Sequence, residues 1–97
     1  MNGKRYQIYI APSAYRRYKR FIPSLQQKVR EEAEKLSQQP YHYQELKSPL
    51  KGIRSYHFRF ENVNYRIAYR VIEEERRVEI VLVKTREKFY ETLRQIT

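Results

Sequence analysis

Residues 56–71 read YHFRFENVNYRIAYRV, and this stretch decides the fold of the chain. Aromatic and aliphatic side chains alternate with polar ones on either side of a short polar break, which is the period of two half-buried strands. Residues 78–83, VEIVLV, follow a second polar break and predict a third strand. Because this strand is apolar on both faces, we expect it to lie in the interior of the sheet.

The chain before this stretch predicts a strand and two helices. Residues 5–11 alternate as a strand. Ser13 is the predicted N-cap of a short basic helix that Pro23 ends, and Ser24 is the predicted N-cap of a second helix. The two helices are expected to form a hairpin. One apolar stripe runs along the second helix, formed by Leu25, Val29, Ala33 and Leu36.

Residues 37–52 lack a regular pattern and predict an irregular loop, which Leu46 and Leu50 attach to the core. After the strand at residues 78–83, the apolar side chains of residues 86–96 recur at helical spacing and predict a terminal helix. The sequence therefore predicts one domain over residues 1–97 with an α+β fold. Its small, antiparallel-rich sheet follows the order β-α-α-β-β-β-α, with the helical hairpin packed on one face.

The chain is strongly basic, with 21 Lys and Arg against 11 acidic residues and a net charge of +10. This charge favours polyanions such as RNA or DNA, with membrane surfaces and acidic proteins as alternatives. The absence of Cys excludes disulfides and sulfur-based zinc sites, and two His without clustered acids predict no metal and no cofactor. Residues 1–6 lack the apolar run of a secretory leader, so we expect a cytoplasmic protein without a membrane partner.

The register of the strands separates an apolar face from a basic one. If four-residue turns join the last three strands, Arg59 lies opposite Arg66, and Arg70 faces Glu79 as a structural ion pair. In this register the helical hairpin covers the side chains of Tyr56, Phe58, Phe60, Tyr65, Ile67, Tyr69 and Leu82.

The opposite face carries a candidate anion site. Arg59 and Arg66 have no acidic neighbour in this register, and His57 lies beside them. Arg86 leaves the third strand near Arg66, and Tyr90 follows one helical turn later. Cations gathered on one face of a small sheet repel one another, so the arrangement favours a bound anion. RNA is the anion we expect.

Further basic residues flank these segments and are predicted to contact RNA. In the loop, basic residues follow three rings at residues 41–43, which can stack on bases, although a loop that is merely packed is the alternative. The predicted RNA-binding residues are Lys47, Lys51, Arg54, Lys84 and Lys88.

Short motifs stand in a fixed order along the chain. They are Gly52, YHFR at residues 56–59, NYRIAY at residues 64–69, and VKTR at residues 83–86 followed by Tyr90. In this order and at this size they resemble the RelE branch of the RelE/ParE toxin superfamily, and the similarity covers nearly the whole chain. The resemblance implies a toxin of a type II toxin–antitoxin pair. Such a toxin cleaves mRNA on the ribosome and is silenced by a small antitoxin protein.

The resemblance also implies roles for individual residues. Arg59 takes the place of a basic residue that contacts phosphate, Arg66 that of the arginine at the scissile phosphate, and Arg86 that of a second phosphate or leaving-group arginine. Tyr90 matches a tyrosine that stacks on a base or aids proton transfer. His57 is a departure, because the best-studied members have a lysine there, and the identity of the general base is therefore open.

Metal-independent cleavage by the RNA 2′-hydroxyl needs a proton acceptor and cations for the phosphoryl oxygens. We assign the cations to Arg66 and Arg86, since a guanidinium holds two phosphate oxygens at once. His57 is our hypothesis for the base, with Tyr90 as the alternative, because surrounding cations favour neutral histidine. Two other functions stay open: a non-nuclease toxin of the same fold that inhibits DNA gyrase, and a nucleic-acid-binding module without toxicity.

Overall fold

The computed structural model describes residues 5–97 and confirms the predicted order of elements. Residues 1–4, which belong to the segment predicted to lack a leader, lie outside the described residues. A short 3-10 turn at Glu73–Glu75 separates the last two strands. The elements are β1 (Gln7–Ile10), α1 (Pro12–Tyr18), α2 (Pro23–Gln38), β2 (Arg54–Phe60), β3 (Val63–Ile72), β4 (Arg77–Thr85) and α3 (Phe89–Ile96).

The described strands form one sheet in the order β1-β4-β3-β2. β1 pairs in parallel with β4, and the other two pairings are antiparallel. β4 therefore has a hydrogen-bonded neighbour on each side, which confirms the interior position that its apolar composition predicted. The α+β class with an antiparallel-rich sheet is confirmed as well.

Proline, rather than serine, begins both N-terminal helices. Pro12 and Pro23 occupy the first turns of α1 and α2, and the residue before each has an extended backbone without a side-chain cap. The predicted N-caps Ser13 and Ser24 are therefore wrong. α1 already ends at Tyr18, so Pro23 starts α2 instead of ending α1. A proline ring fixes a helical φ and lacks the N–H that would be unsatisfied there, so it suits the first helical position.

A first core lies between α2 and the sheet. The apolar stripe predicted on α2 is buried, and Leu36 is fully enclosed. This confirms the predicted apolar face of the sheet, with one exception described next. The buried sheet residues of this core are Tyr56, Phe58, Ile67, Tyr69, Val78, Ile80 and Val83.

The opposite face of the sheet carries a second core, under α3. Leu82 belongs to this core, so its predicted place under the helical hairpin is wrong. The cause is a register shift of the β3–β4 ladder between Ala68 and Tyr69, where Val81 is an extra residue in β4 without a partner. A bulge of this kind changes the face on which the following side chains lie.

The loop between α2 and β2 is attached to the body of the protein by both apolar and polar contacts. Leu50 is buried in the second core and Leu46 packs against it, as predicted. The Arg54 guanidinium donates to the Tyr43 carbonyl at 2.7 Å and lies 3.8 Å from the Glu45 carboxylate. Arg54 therefore anchors the loop.

Glu32 of α2 is a charged residue in the first core, only 3% exposed. The Tyr56 hydroxyl donates to Oε1, and the ammonium groups of Lys28 and Lys35 lie 2.9 and 3.2 Å from Oε2. Burial raises the pKa of the Glu32 carboxyl, but the three hydrogen bonds outweigh burial and hold the pKa below its ordinary value. The carboxylate is therefore ionised in the fold at neutral pH.

Replacing Tyr56 with phenylalanine is expected to lower the free energy of unfolding by about 1.5–3 kcal/mol, because a hydrogen bond to a buried charge is lost. Since folding lowers the pKa of Glu32, this charged interaction is fully present above the ordinary pKa of 4.5 and is lost as the pH falls through the folded value. The difference between the variant and the wild type should therefore shrink in acid. Urea unfolding at neutral and acidic pH measures both effects.

The matched control is Tyr15→Phe, because the Tyr15 side chain is 45% exposed on α1. This substitution should leave the free energy of unfolding nearly unchanged. Equal losses of stability in the two variants would contradict the proposed weight of the Glu32 network.

Candidate active site

A two-residue turn at residues 61–62 joins β2 to β3, and both residues have positive φ, 50° and 67°. The predicted four-residue turn is therefore wrong, and so is the predicted opposition of Arg59 and Arg66. Instead, His57 faces Arg66 and Arg59 faces Asn64. Two positive φ values match the twist of the flanking strands in a tight hairpin. The candidate base and the central arginine are thus direct neighbours.

The bulge in β4 and the turn after it bring Arg86 to the same place. Because β4 contains one extra residue, Lys84 is the partner of Arg66 across the ladder. The backbone N–H of Arg86 then donates to the Asn64 carbonyl at 3.3 Å. The chain therefore leaves β4 directly beside the start of β3.

A surface cavity of about 270 Å³ lies where these segments meet. We name it the arginine pocket. It brings together residues from β2, β3 and the turn before α3, including three of the five predicted catalytic residues. Their catalytic roles stay predictions. The lining residues are His57, Asn64, Tyr65, Arg66 and Arg86.

The guanidinium of Arg66 is held by the first turn of α3. Its Nη1 donates to the Tyr90 hydroxyl at 2.5 Å, and its Cζ lies 5.1 Å from the Tyr90 ring centre and 5.9 Å from that of Phe89. Phe89 is buried, so its ring is held in place beside the Arg66 guanidinium. A cation over aromatic faces is attracted by their negative centres. Tyr90 thus reaches the site through Arg66.

No carboxylate of the described chain neutralises this site. Within residues 5–97, Arg59, Arg66 and Arg86 form no ion pair. Partial burial, and after it the charge of Arg66, lower the pKa of His57 from its ordinary value of 6.5. His57 is therefore neutral at pH 7, the state in which an imidazole accepts a proton.

Two predicted site residues, Arg59 and Lys88, are exposed and do not line the pocket. Arg59 is exposed on the same face of β2 as His57, one pleat further along the strand. Lys88 is exposed just before α3, in the left-handed conformation with φ 55°. The predicted roles of both residues at the RNA site stay predictions.

Lys84 has a contact that the sequence did not predict. It faces Arg66, but its Nζ donates to the Glu87 carbonyl at 2.5 Å. This bond stabilises the turn that carries Arg86. The predicted contact of Lys84 with RNA stays a prediction, since the ammonium group is already engaged by the protein.

The structure does not bring Lys47, Lys51 or Arg54 to the arginine pocket. Arg54 lies on the opposite face of β2 from His57 and binds loop carbonyls, and its predicted contact with RNA stays a prediction. Lys51 lines a separate cavity. Lys47 is exposed in the loop.

Asn64 and Tyr65 line the pocket although the sequence did not predict them as site residues. Asn64 was placed in the turn, whereas β3 already begins at Val63. The available signal was Asn62, because asparagine tolerates the left-handed conformation better than most residues. With the turn placed there, Asn64 falls on the same face as Arg66.

Within residues 5–97, no group of three or more potential ligand side chains could hold a metal ion. None of the helices in that range has the length and apolar character needed to cross a bilayer.

Fold and pocket together define a small basic α+β protein with an unneutralised arginine site. The sequence profile of a family described as ParE-like toxin of type II bacterial toxin–antitoxin system matches residues 8–94. The chain belongs to this ParE-like toxin family, within the RelE/ParE superfamily that its motifs resemble. A search of curated protein sequences returns no match.

Solved structures agree with this assignment. The toxin–antitoxin complex RelBE2 from Mycobacterium tuberculosis includes a chain 28% identical to this one, with a TM-score of 0.73 over 84% of this chain and 99% of that chain. The free E. coli toxin RelE, with two arginines replaced by alanine, has a TM-score of 0.73 at 16% identity, over 96% and 99% of the two chains. The intact E. coli RelBE complex includes a chain with a TM-score of 0.68 at 15% identity, which covers 81% of this chain and 94% of that chain. The two E. coli structures share the fold.

Proposed function

We propose that this toxin is an endoribonuclease that cleaves mRNA on the ribosome by attack of the RNA 2′-hydroxyl, without a metal ion. The observation that carries the proposal is the arginine pocket, where two guanidinium groups without carboxylate partners adjoin a neutral histidine. Such a site attracts a phosphodiester and offers it a proton acceptor. A purely structural role leaves these uncompensated charges without an explanation.

The chemistry divides among the residues of the site. His57 takes the proton of the 2′-hydroxyl, whose oxygen attacks phosphorus while the bond from phosphorus to the 5′ oxygen breaks. Arg66 and Arg86 bind the phosphoryl oxygens, on which negative charge grows. The products are a 2′,3′-cyclic phosphate and a 5′-hydroxyl.

Tyr90 supports this reaction from the side of Arg66. Its hydroxyl accepts the Arg66 N–H at 2.5 Å, and its own proton remains available for an RNA oxygen. We assign to it the donation of a proton to the departing 5′ oxygen. Tyr90 then recovers a proton from solvent, and His57 releases to solvent the proton that it took from the 2′-hydroxyl. Arg59 and Lys88, exposed beside the pocket, are assigned to neighbouring phosphates.

A cognate antitoxin protein is the second proposed partner. The relatives named RelBE are toxin–antitoxin complexes, which supports a complex of the same kind here. The excess of positive charge favours an acidic antitoxin segment, whose docking would screen the pocket from RNA. Action on translating ribosomes places the toxin in the cytoplasm.

The test is a translation reaction with one defined mRNA, to which the purified toxin is added. We expect cuts within the translated region that end in a 2′,3′-cyclic phosphate. Arg86→Ala, purified in parallel, is the control for contaminating ribonucleases. Intact mRNA together with inhibited DNA supercoiling would instead support the gyrase-directed toxin. Intact mRNA with neither inhibition nor loss of growth would support a non-toxic binding module.

A further inference from the structure

A second basic region surrounds the C-terminal end of α3. One cavity of about 380 Å³ is lined by Lys51, Arg70 and Arg94 among others. Another of about 330 Å³ is lined by basic residues of α1 and of the turn after it, together with Ile96. The last turn of α3 lies between the two cavities. We name the region the α3 basic surface and define it by Arg16, Arg17, Arg20, Lys51, Arg70 and Arg94.

Most of the charge on this surface is uncompensated. Within residues 5–97, the sole ion pair of these six side chains joins Arg70 to Glu79, at 3.8 Å. The Arg70 side chain is itself 43% exposed, so the pair is weak. Like charges gathered around one helix end repel one another, and a bound polyanion would relieve that repulsion.

The α3 basic surface is distinct from the arginine pocket. Arg66 and Arg70 lie on one strand, four residues apart, which corresponds to ~13 Å. α3 lies alongside, with Phe89 and Tyr90 at Arg66 and its last turn near Arg70. One phosphate cannot contact both sites. A chain of several phosphates can reach from one to the other.

We propose that the α3 basic surface binds the backbone of RNA that flanks the bond held in the arginine pocket. The proposal rests on the function proposed above and extends it by a second phosphate-binding site. Arginine supplies five of the six cations, and its planar fork matches phosphate oxygens better than a lysine ammonium does. The spread over two cavities suits an extended ligand more than a single ion.

The experiment measures binding without cleavage, using 2′-O-methylated RNA, which lacks the attacking hydroxyl. Fluorescence anisotropy compares oligonucleotides of about 4 and about 12 nucleotides, both of which fall within the range of common single-strand site sizes. The variant combines Arg20→Gln with Arg94→Gln. We expect about tenfold weaker binding of the longer RNA and a salt dependence reduced by about 1.4 in slope, because two phosphate contacts are lost. Binding of the shorter RNA should be unchanged.

The matched control combines Arg5→Gln with Arg30→Gln, which removes the same charge from exposed positions elsewhere. Thermal unfolding shows whether each protein is folded. Equal losses of binding affinity for the two RNA lengths would overturn the proposal. Equal losses in the two double variants would also overturn it, because net charge would then explain the effect. Full binding of the longer RNA together with lost binding of an acidic antitoxin peptide would also overturn it and assign the surface to protein.

Failure of this proposal and failure of the proposed function give different results. A wild-type protein that leaves mRNA intact in the translation reaction, yet binds the longer RNA through Arg20 and Arg94, retains the second site and lacks the nuclease. A wild-type protein that cleaves mRNA, with binding unaffected by the paired substitutions, retains the nuclease and lacks the second site.

Discussion

Arg66→Ala and Arg86→Ala are each expected to lower the rate of mRNA cleavage about 10²–10³-fold, the usual cost of removing a preorganised donor to a growing negative charge. Both side chains line the arginine pocket, and neither forms an ion pair in the described part of the chain. Arg66→Lys should recover only part of the rate, since an ammonium keeps the charge but loses the fork. Cleavage of one defined mRNA in a translation reaction measures these rates.

A double variant tests whether the two arginines hold the same phosphate. If they act on one group, the combined loss will be smaller than the product of the two single losses. Arg30→Ala, at an exposed position of α2, is the control for a change in net charge. Independent, multiplicative losses would show that the two guanidinium groups act on separate parts of the substrate. A normal rate in both single variants would remove the basis of the nuclease proposal.

His57→Ala is expected to lower cleavage about 10²–10⁴-fold, the range for loss of a positioned general base. Folding lowers the pKa of His57 from 6.5, so the neutral base predominates at and above neutral pH. The rate should therefore be flat there and fall as the pH drops through the folded value. His42→Ala, at an exposed loop histidine, is the matched control. The pH profile of kcat/KM on translating ribosomes measures this fall in rate at low pH.

The cause of the His57 shift can be tested separately from catalysis. Partial burial and the Arg66 charge both lower this pKa, so Arg66→Gln should raise it while leaving the contribution of burial in place. An NMR titration of the imidazole protons measures the change. An undiminished rate in His57→Ala together with an inactive Tyr90→Phe would transfer the role of base to Tyr90.

Alternating apolar residues predicted β2, β3 and β4 correctly, because successive side chains of a strand lie on opposite faces and the buried face therefore recurs every second residue. The stripe from Leu25 to Leu36 likewise predicted the buried face of α2. The apolar content of β4 on both faces also predicted its interior position. The meeting of Arg66 and Arg86 could be predicted as well, since both are located near the ends of adjacent strands.

Other features of the site depend on backbone details that the pattern does not encode. The turn at residues 61–62 has two left-handed residues without a glycine, and its position sets which side chain faces Arg66. The extra residue Val81 lies within an apolar run that reads the same with or without a bulge. The misplaced turn displaced the β2–β3 partners by two residues, which exchanged Arg59 for His57 opposite Arg66. The missed bulge displaced the β3–β4 partners by one residue.

By itself, the sequence determined the class of fold, the buried stripe of α2, the apolar faces of β2 and β3, and the presence of Arg66 and Arg86 on neighbouring segments. Those properties follow from local period and composition. Tertiary structure alone decided that His57 faces Arg66, that Tyr90 holds the Arg66 guanidinium, and that Arg54 lies on the other face. The physical reason is that these contacts join residues distant in the chain, and a register shift of one residue moves a side chain across the sheet.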